Sequence, residues 1–159
     1  AAADAELVLN ATAGGASIAV LQAAGSDNLA GKVLLDIANP LDFSKGLPPT
    51  LSVSNTDSLG EQIQAAFPET KVVKALNTMN AYLMADPRQL ADGQHTVFVS
   101  GNDADAKKTV TALLESFGHT DVLDLGDISS ARGPEMVLPI WLRVWGALGT
   151  PMFQFKIVR

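Results

Sequence analysis

Residues 74–80, Lys-Ala-Leu-Asn-Thr-Met-Asn, set two carboxamides and a hydroxyl directly behind an apolar run that begins at Val72. Similar groups follow other short apolar stretches: Asn10-Ala11-Thr12-Ala13, Ala38-Asn39-Pro40, Ser100-Gly101-Asn102 and Gly126-Asp127-Ile128-Ser129. Small neutral hydrogen-bonding residues of this kind suit a ring amide, ribose hydroxyls and a pyrophosphate held by backbone N–H groups, because they discriminate without adding a competing charge. Asn and Thr are also ordinary helix caps and turn formers. At any single position capping is the simpler reading; recurrence at several strand ends points to a ligand. Residues 12–17, Thr-Ala-Gly-Gly-Ala-Ser, could cradle a phosphate, but the paired Gly14-Gly15 is not G-x-G-x-x-G and is more often a turn.

Other chemistries fail for lack of residues. The chain has no cysteine, which removes disulfides, thiolate metal sites and a cysteine nucleophile. His95 precedes an apolar stretch and His119 follows a helix end, with no carboxylate at ligand spacing, so both read as solvated or capping residues and no metal site is expected. Nucleophile-elbow, P-loop and HExxH motifs are absent from the sequence. Asp36, inside a strand pattern, reads as a hydrogen-bonded structural carboxylate, and Trp141 and Trp145 read as core. With no evident catalytic acid, base or metal, the residues fit hydride transfer, in which a cofactor carries the chemistry and the protein supplies position and electrostatics.

The elements that must position these groups alternate. Strand patterns span 6–12, 32–40, 71–77, 95–102 and 120–127. A helix pattern starts near Ile18; a second follows the capping box of Ser58 and Glu61. A third, capped by Asp103 and Gly118, carries Val110, Leu113, Leu114 and Phe117 on one face. A short irregular piece lies around residues 81–87, and the stretch with Gly46-Leu47-Pro48-Pro49-Thr50 reads as a long loop. Residues 135–149 are apolar nearly all round and predict a buried helix starting or kinking near Pro139, too short and interrupted to span a membrane. Near-continuous apolar strands alternating with helices predict an α/β, doubly wound (Rossmann-like) parallel sheet with a small C-terminal helical part. The expected division is 1–127 and 128–159.

Composition agrees with a folded domain: 47% of the 159 residues are hydrophobic and 18% charged. The formal charge of −6, with no basic cluster, argues against nucleic acid. The start has no basic region ahead of its apolar stretch and makes a poor signal peptide, so a cytoplasmic location is expected.

Residues 72–87, 95–107, 121–136 and 138–158 together resemble the coenzyme F420-dependent NADP oxidoreductase family, the NADPH-dependent deazaflavin reductases. The resemblance implies an NADP-binding Rossmann domain, a small C-terminal part closing over the nicotinamide, and hydride exchange between NADPH and a deazaflavin (F420) or flavin ring. It places Thr12 and Ala13 beside the cofactor's ribose and diphosphate, and Asn39 and Pro40 near the nicotinamide ribose. Asn77, Thr78, Met79 and Asn80 fall at the nicotinamide and acceptor ring, and Ser130 and Arg132 face the second ring. Residues 129–135 also resemble a segment of the six-transmembrane epithelial antigen metalloreductases. Family members of this kind suggest a homodimer through the apolar C-terminal part. The family's opening strand, glycine-rich turn and helix have no counterpart in these residues, so the chain is expected to be N-terminally truncated, to bind NADP weakly alone, and to expose a pairing edge along residues 6–12. A non-catalytic dinucleotide-binding or interaction module remains the alternative reading.

Overall fold

The computed structural model describes residues 2–159. Five strands form one sheet: β1 (Leu7–Asn10), β2 (Val33–Asp36), β5 (Lys71–Ala75), β6 (Thr96–Gly101) and β7 (Asp121–Asp124), in the order β1-β2-β5-β6-β7. Between β2 and β5 a small antiparallel hairpin, β3 (Leu41–Asp42) and β4 (Thr50–Leu51), replaces the expected structureless loop. Two residues per strand leave no periodicity to read.

Helices cover both faces. On one, α1 (Ser17–Ala24), the single turn α2 (Ser26–Leu29) and α3 (Leu59–Ala66) pack Leu21, Leu29, Leu59 and Ile63 against Leu34 and Val72. On the other, α4 (Ala81–Ala85) and α5 (Ala104–Phe117) pack Leu83, Val110 and Leu114 against Leu35, Val73, Val97 and Val99. The central strands β2 and β5 therefore bury alternate residues into two different cores, Leu35 and Val73 into one and Leu34 and Val72 into the other, which is why they read as continuous apolar runs. The local signals operate as expected: Ser58 accepts from Glu61 N while its hydroxyl donates to Glu61, Asp103 caps α5, and Gly118 ends α5 in the left-handed region.

The α/β, Rossmann-like class stands, but the sheet is mixed. Strands β1, β2 and β5 are mutually parallel, β5 and β6 are antiparallel, and β6 and β7 are parallel. Between β5 and β6 the chain folds into α4 and two short 3-10 turns, Pro87–Gln89 and Ala91–Gly93, and makes no full crossover helix. A parallel return needs such a crossover; without one the chain re-enters the sheet reversed.

A 3-10 turn (Ile128–Ala131) and α6 (Arg132–Met136) then cross the α3 face, and α7 (Leu138–Leu148) follows with Pro139 in its first turn. The helix α7 is not buried as expected: Leu138 and Trp141 are covered, whereas Ile140, Trp145 and Leu148 are exposed. Phe155 and Ile157 of the terminal stretch bond Thr96 through backbone O and N, and Lys156 and Arg159 pair with Asp121. Hydrogen bonds from Lys156 and Thr96 hold the Asp121 carboxyl down to about 2. Among the described residues no helix is long and apolar enough to cross a membrane.

Candidate functional site

Three parallel strand ends converge. After β1 the chain turns through Thr12 and Ala13 into the 3-10 turn Gly14–Ala16. Gly14 lies so close to the end of β2 that a Cβ there would stand 2.0 Å from the Asn39 carbonyl oxygen, so only glycine fits. Asn39 in turn meets the end of β5: its Nδ2 donates to Asn77 O (2.8 Å) and its Oδ1 accepts from Asn77 Nδ2 (2.9 Å). Immediately before Asn77, buried Leu76 has φ 63, a left-handed conformation that costs a branched apolar residue about 1–2 kcal/mol. Strain of that kind persists where the surroundings over-determine it, often at a ligand site.

Beneath these ends lies a polar row. Asn10, Asp36, Lys74 and Ser100 are register partners across β1, β2, β5 and β6, and all four are buried. Lys74 uses all three ammonium donors, on Asp36 Oδ2 (2.7 Å), Ala38 O (2.6 Å) and Glu135 Oε1 (2.9 Å). Asp36 Oδ1 accepts from Asn10 Nδ2 (2.8 Å) and Ala38 N (3.2 Å). Glu135, from α6, caps α3 by accepting from Leu59 N (2.8 Å) and Gly60 N (3.0 Å). One cation faces two carboxylates, and the positive end of α3 offsets the remaining negative charge. The network is complete, the condition under which buried charges are tolerable.

The structure brings Thr12, Ala13, Asn39, Pro40, Asn77, Thr78, Met79 and Asn80 to this edge of the sheet, with different fates. The Thr12 hydroxyl donates to Asn10 Oδ1 (2.7 Å) and lies 3.0 Å from Ser17 Oγ. Met79 is buried in the core. Asn80 caps α4 by accepting from Leu83 N (3.1 Å), and its Nδ2 donates to Pro151 O. Asn77 Oδ1 and the Thr78 hydroxyl have no protein partner among the described residues, and both residues are buried, each only 2% exposed. In the turn after β1, a Cβ at Gly15 would meet nothing within 4 Å, so the loop is open there.

Ser130 and Arg132 belong to the segment that crosses α3 and supplies Glu135 to the polar row. The Ser130 hydroxyl donates to Asp127 O (2.6 Å) and lies 2.8 Å from Ser100 Oγ, and Arg132 pairs with Glu61, to which its Nε donates at 2.8 Å. Because β6 runs backwards, Gly101 pairs with Val73, within β5, and Asn102 lies beyond it, away from Asn39 and Asn77. Lys74 and Glu135 escaped the sequence reading; a lysine inside an apolar strand was the available signal, since one that is fully buried must be paired.

His95 and His119 are buried, contrary to the solvated or capping role expected of them. Their rings meet edge to face at 6.1 Å, and their Nε2 atoms bond Pro87 O (3.3 Å) and Met84 O (3.1 Å). No cluster of three or more metal-binding side chains occurs among the described residues.

No family profile matches the chain. A solved structure of a candidate F420-dependent NADP reductase from Arthrobacter sp. FB24 is 70% identical, superposes with a TM-score of 0.98, and is matched over 99% of this chain and 72% of its own. The F420-dependent NADP reductase of Methanocaldococcus jannaschii is 30% identical over 115 residues, 72% of this chain. The metalloreductase STEAP3 of Rattus norvegicus is 36% identical over 121 residues, 73% of this chain. The chain spans 51% of the Methanocaldococcus protein and 22% of the metalloreductase. By its likeness to the Arthrobacter protein across nearly all its length, this chain belongs to the F420-dependent NADP reductase family.

Proposed function

We propose that the protein is an NADPH-dependent oxidoreductase that passes hydride to a deazaflavin of the F420 type or to a flavin. The observation that carries this reading is the convergence of the Thr12, Asn39 and Asn77 strand ends into a neutral rim where Asn77 Oδ1 and the Thr78 hydroxyl remain unpaired. A donor and acceptor set without charge fits the amide and hydroxyl edges of a nicotinamide nucleoside. NADPH, when bound, supplies a hydride and requires no acid or base from the protein.

In this reading Asn77 and Thr78 hold the nicotinamide side, and Asn39 holds Asn77. Thr12 and Ala13 line the ribose and diphosphate, with open room at Gly15. The α3 N-terminus is not offered to a phosphate, since Glu135 fills it. Met79 and Asn80 act as supports from the core and the α4 cap, and Ser130 and Arg132 seat the crossing segment on Ser100 and Glu61. We further propose that residues 1–127 form the nucleotide-binding part and 128–159 the segment that closes over it.

The test is to mix the full-length protein with NADPH and, separately, oxidised F420 or flavin, and to follow NADPH absorbance. Loss with F420 alone supports deazaflavin reduction; loss with flavin makes it a flavin reductase. No loss with either overturns the proposal in favour of a binding module.

A further inference from the structure

We propose that Lys74 is a positioning residue, holding the Asn39–Asn77 pair in place by gripping the Ala38 carbonyl. The inference rests on the reductase reading for its link to activity.

The residues preceding the polar row on the same sheet face, Val8, Leu34 and Val72, pack against the apolar core. Packing alone would be served equally well by continuing that pattern, since well-packed apolar residues often replace buried ion pairs at no loss of stability. What an apolar side chain cannot do is hold the next peptide. Ala38 is tied at both backbone groups: its N–H donates to Asp36 Oδ1 (3.2 Å) and its carbonyl accepts from Lys74 Nζ (2.6 Å). The following residue is Asn39, whose carboxamide exchanges two hydrogen bonds with Asn77. Asn77 follows Lys74 by three residues. The links close a ring: Lys74 grips Ala38, Ala38 carries Asn39, Asn39 clasps Asn77, and the backbone returns to Lys74.

The ring has no slack. On one side Gly14 abuts the Asn39 carbonyl. On the other, Leu76 is held at positive φ between Lys74 and Asn77. Glu135 fixes the ammonium from the third direction and ties it to the start of α3. Removing the lysine therefore frees the Ala38–Asn39 peptide while leaving every group of the candidate rim present.

Two variants test this in the full-length protein. Lys74→Met strands two buried carboxylates and can unfold the chain. Lys74→Met/Asp36→Asn removes one charge of each sign and leaves the cluster's net charge unchanged. The second is expected to melt cooperatively, to lose the protected side-chain amide signals of Asn39 and Asn77 in NMR spectra, and to raise the NADPH KM by about tenfold, the equivalent of a lost buried hydrogen bond. In an Asn39→Ala background the same pair of changes adds no further rise, because their route is already cut. Unchanged Asn39 and Asn77 signals, or a full additional KM loss in the Asn39→Ala background, would overturn the proposal. Should wild type consume no NADPH with either ring, the reductase reading fails, and the amide signals still decide the role of Lys74.

Discussion

Gly14 and Gly15 are adjacent and chemically identical, but their surroundings give opposite expectations for the same substitution. At Gly14 a new Cβ would meet backbone, the Asn39 carbonyl at 2.0 Å, and Leu59 Cδ2 at 3.0 Å. Backbone cannot rotate away, so the turn or the end of β2 must move. Gly14→Ala is expected to cost about 1–3 kcal/mol, the range for overpacking, and to disturb the Asn39–Asn77 pair. At Gly15 the added methyl meets nothing, and Gly15→Ala is expected to be neutral or to stabilise by about 0.4–1 kcal/mol through the unfolded chain. Denaturant unfolding of both variants checks this; equal effects would contradict the packing argument. The sequence displays the pair as a turn. Which glycine is indispensable depends on Asn39, 25 residues away, and no local pattern records that distance.

At the scale of elements, legibility followed locality. Ser58 with Glu61 and Asp103 with Gly118 mark helix ends through contacts within a few residues, and both helices lie where those signals put them. Strand direction is not local, so the reversal of β6 was invisible in its own sequence. Its only trace is the short irregular piece after Asn80, too small for a crossover. The exposure of the apolar α7 is non-local in the same way, since composition says nothing of which neighbours arrive. That irregular piece also carries a pH dependence. It rests on His119, bonded to Met84 O, and His95, bonded to Pro87 O, while both Nδ1 atoms are buried without partners. Protonation would place an unpaired N–H⁺ in the interior, and burial pushes both pKa values below the ordinary range. The unfolded chain binds these protons more readily, so the contribution is intact above about pH 6.5 and is lost as pH falls below it. The melting temperature should drop between about pH 7 and pH 5.5, above the range where carboxylates titrate, and His95→Gln/His119→Gln should flatten that slope. An unaltered slope in the double variant would assign the dependence to other groups.

For the molecule as a whole, the two outer strands are defended unequally. At β7, Asp121 binds Lys156 and Arg159 and Asp124 binds Lys107, so that edge is charged at both ends. At β1, Leu7, Val8, Leu9 and Asn10 carry no charge, Leu9 is 53% exposed, and an apolar groove of about 530 Å³ runs beside Ala2, Ala3 and Leu9. An unpaired apolar edge is a template for another strand. The opposing force is the net charge of −6, which vanishes near the pI of about 4.7. These 159 residues expressed alone should therefore self-associate increasingly as pH falls toward that value, and Leu9→Lys should suppress the association by adding charge to the edge. Sedimentation across pH and concentration measures it. The competing surface is α7, where Ile140, Trp145 and Leu148 are exposed on a helix and need no strand pairing. Association that survives Leu9→Lys but vanishes with Ile140→Asp would place the contact there, as a homodimer through the C-terminal helix.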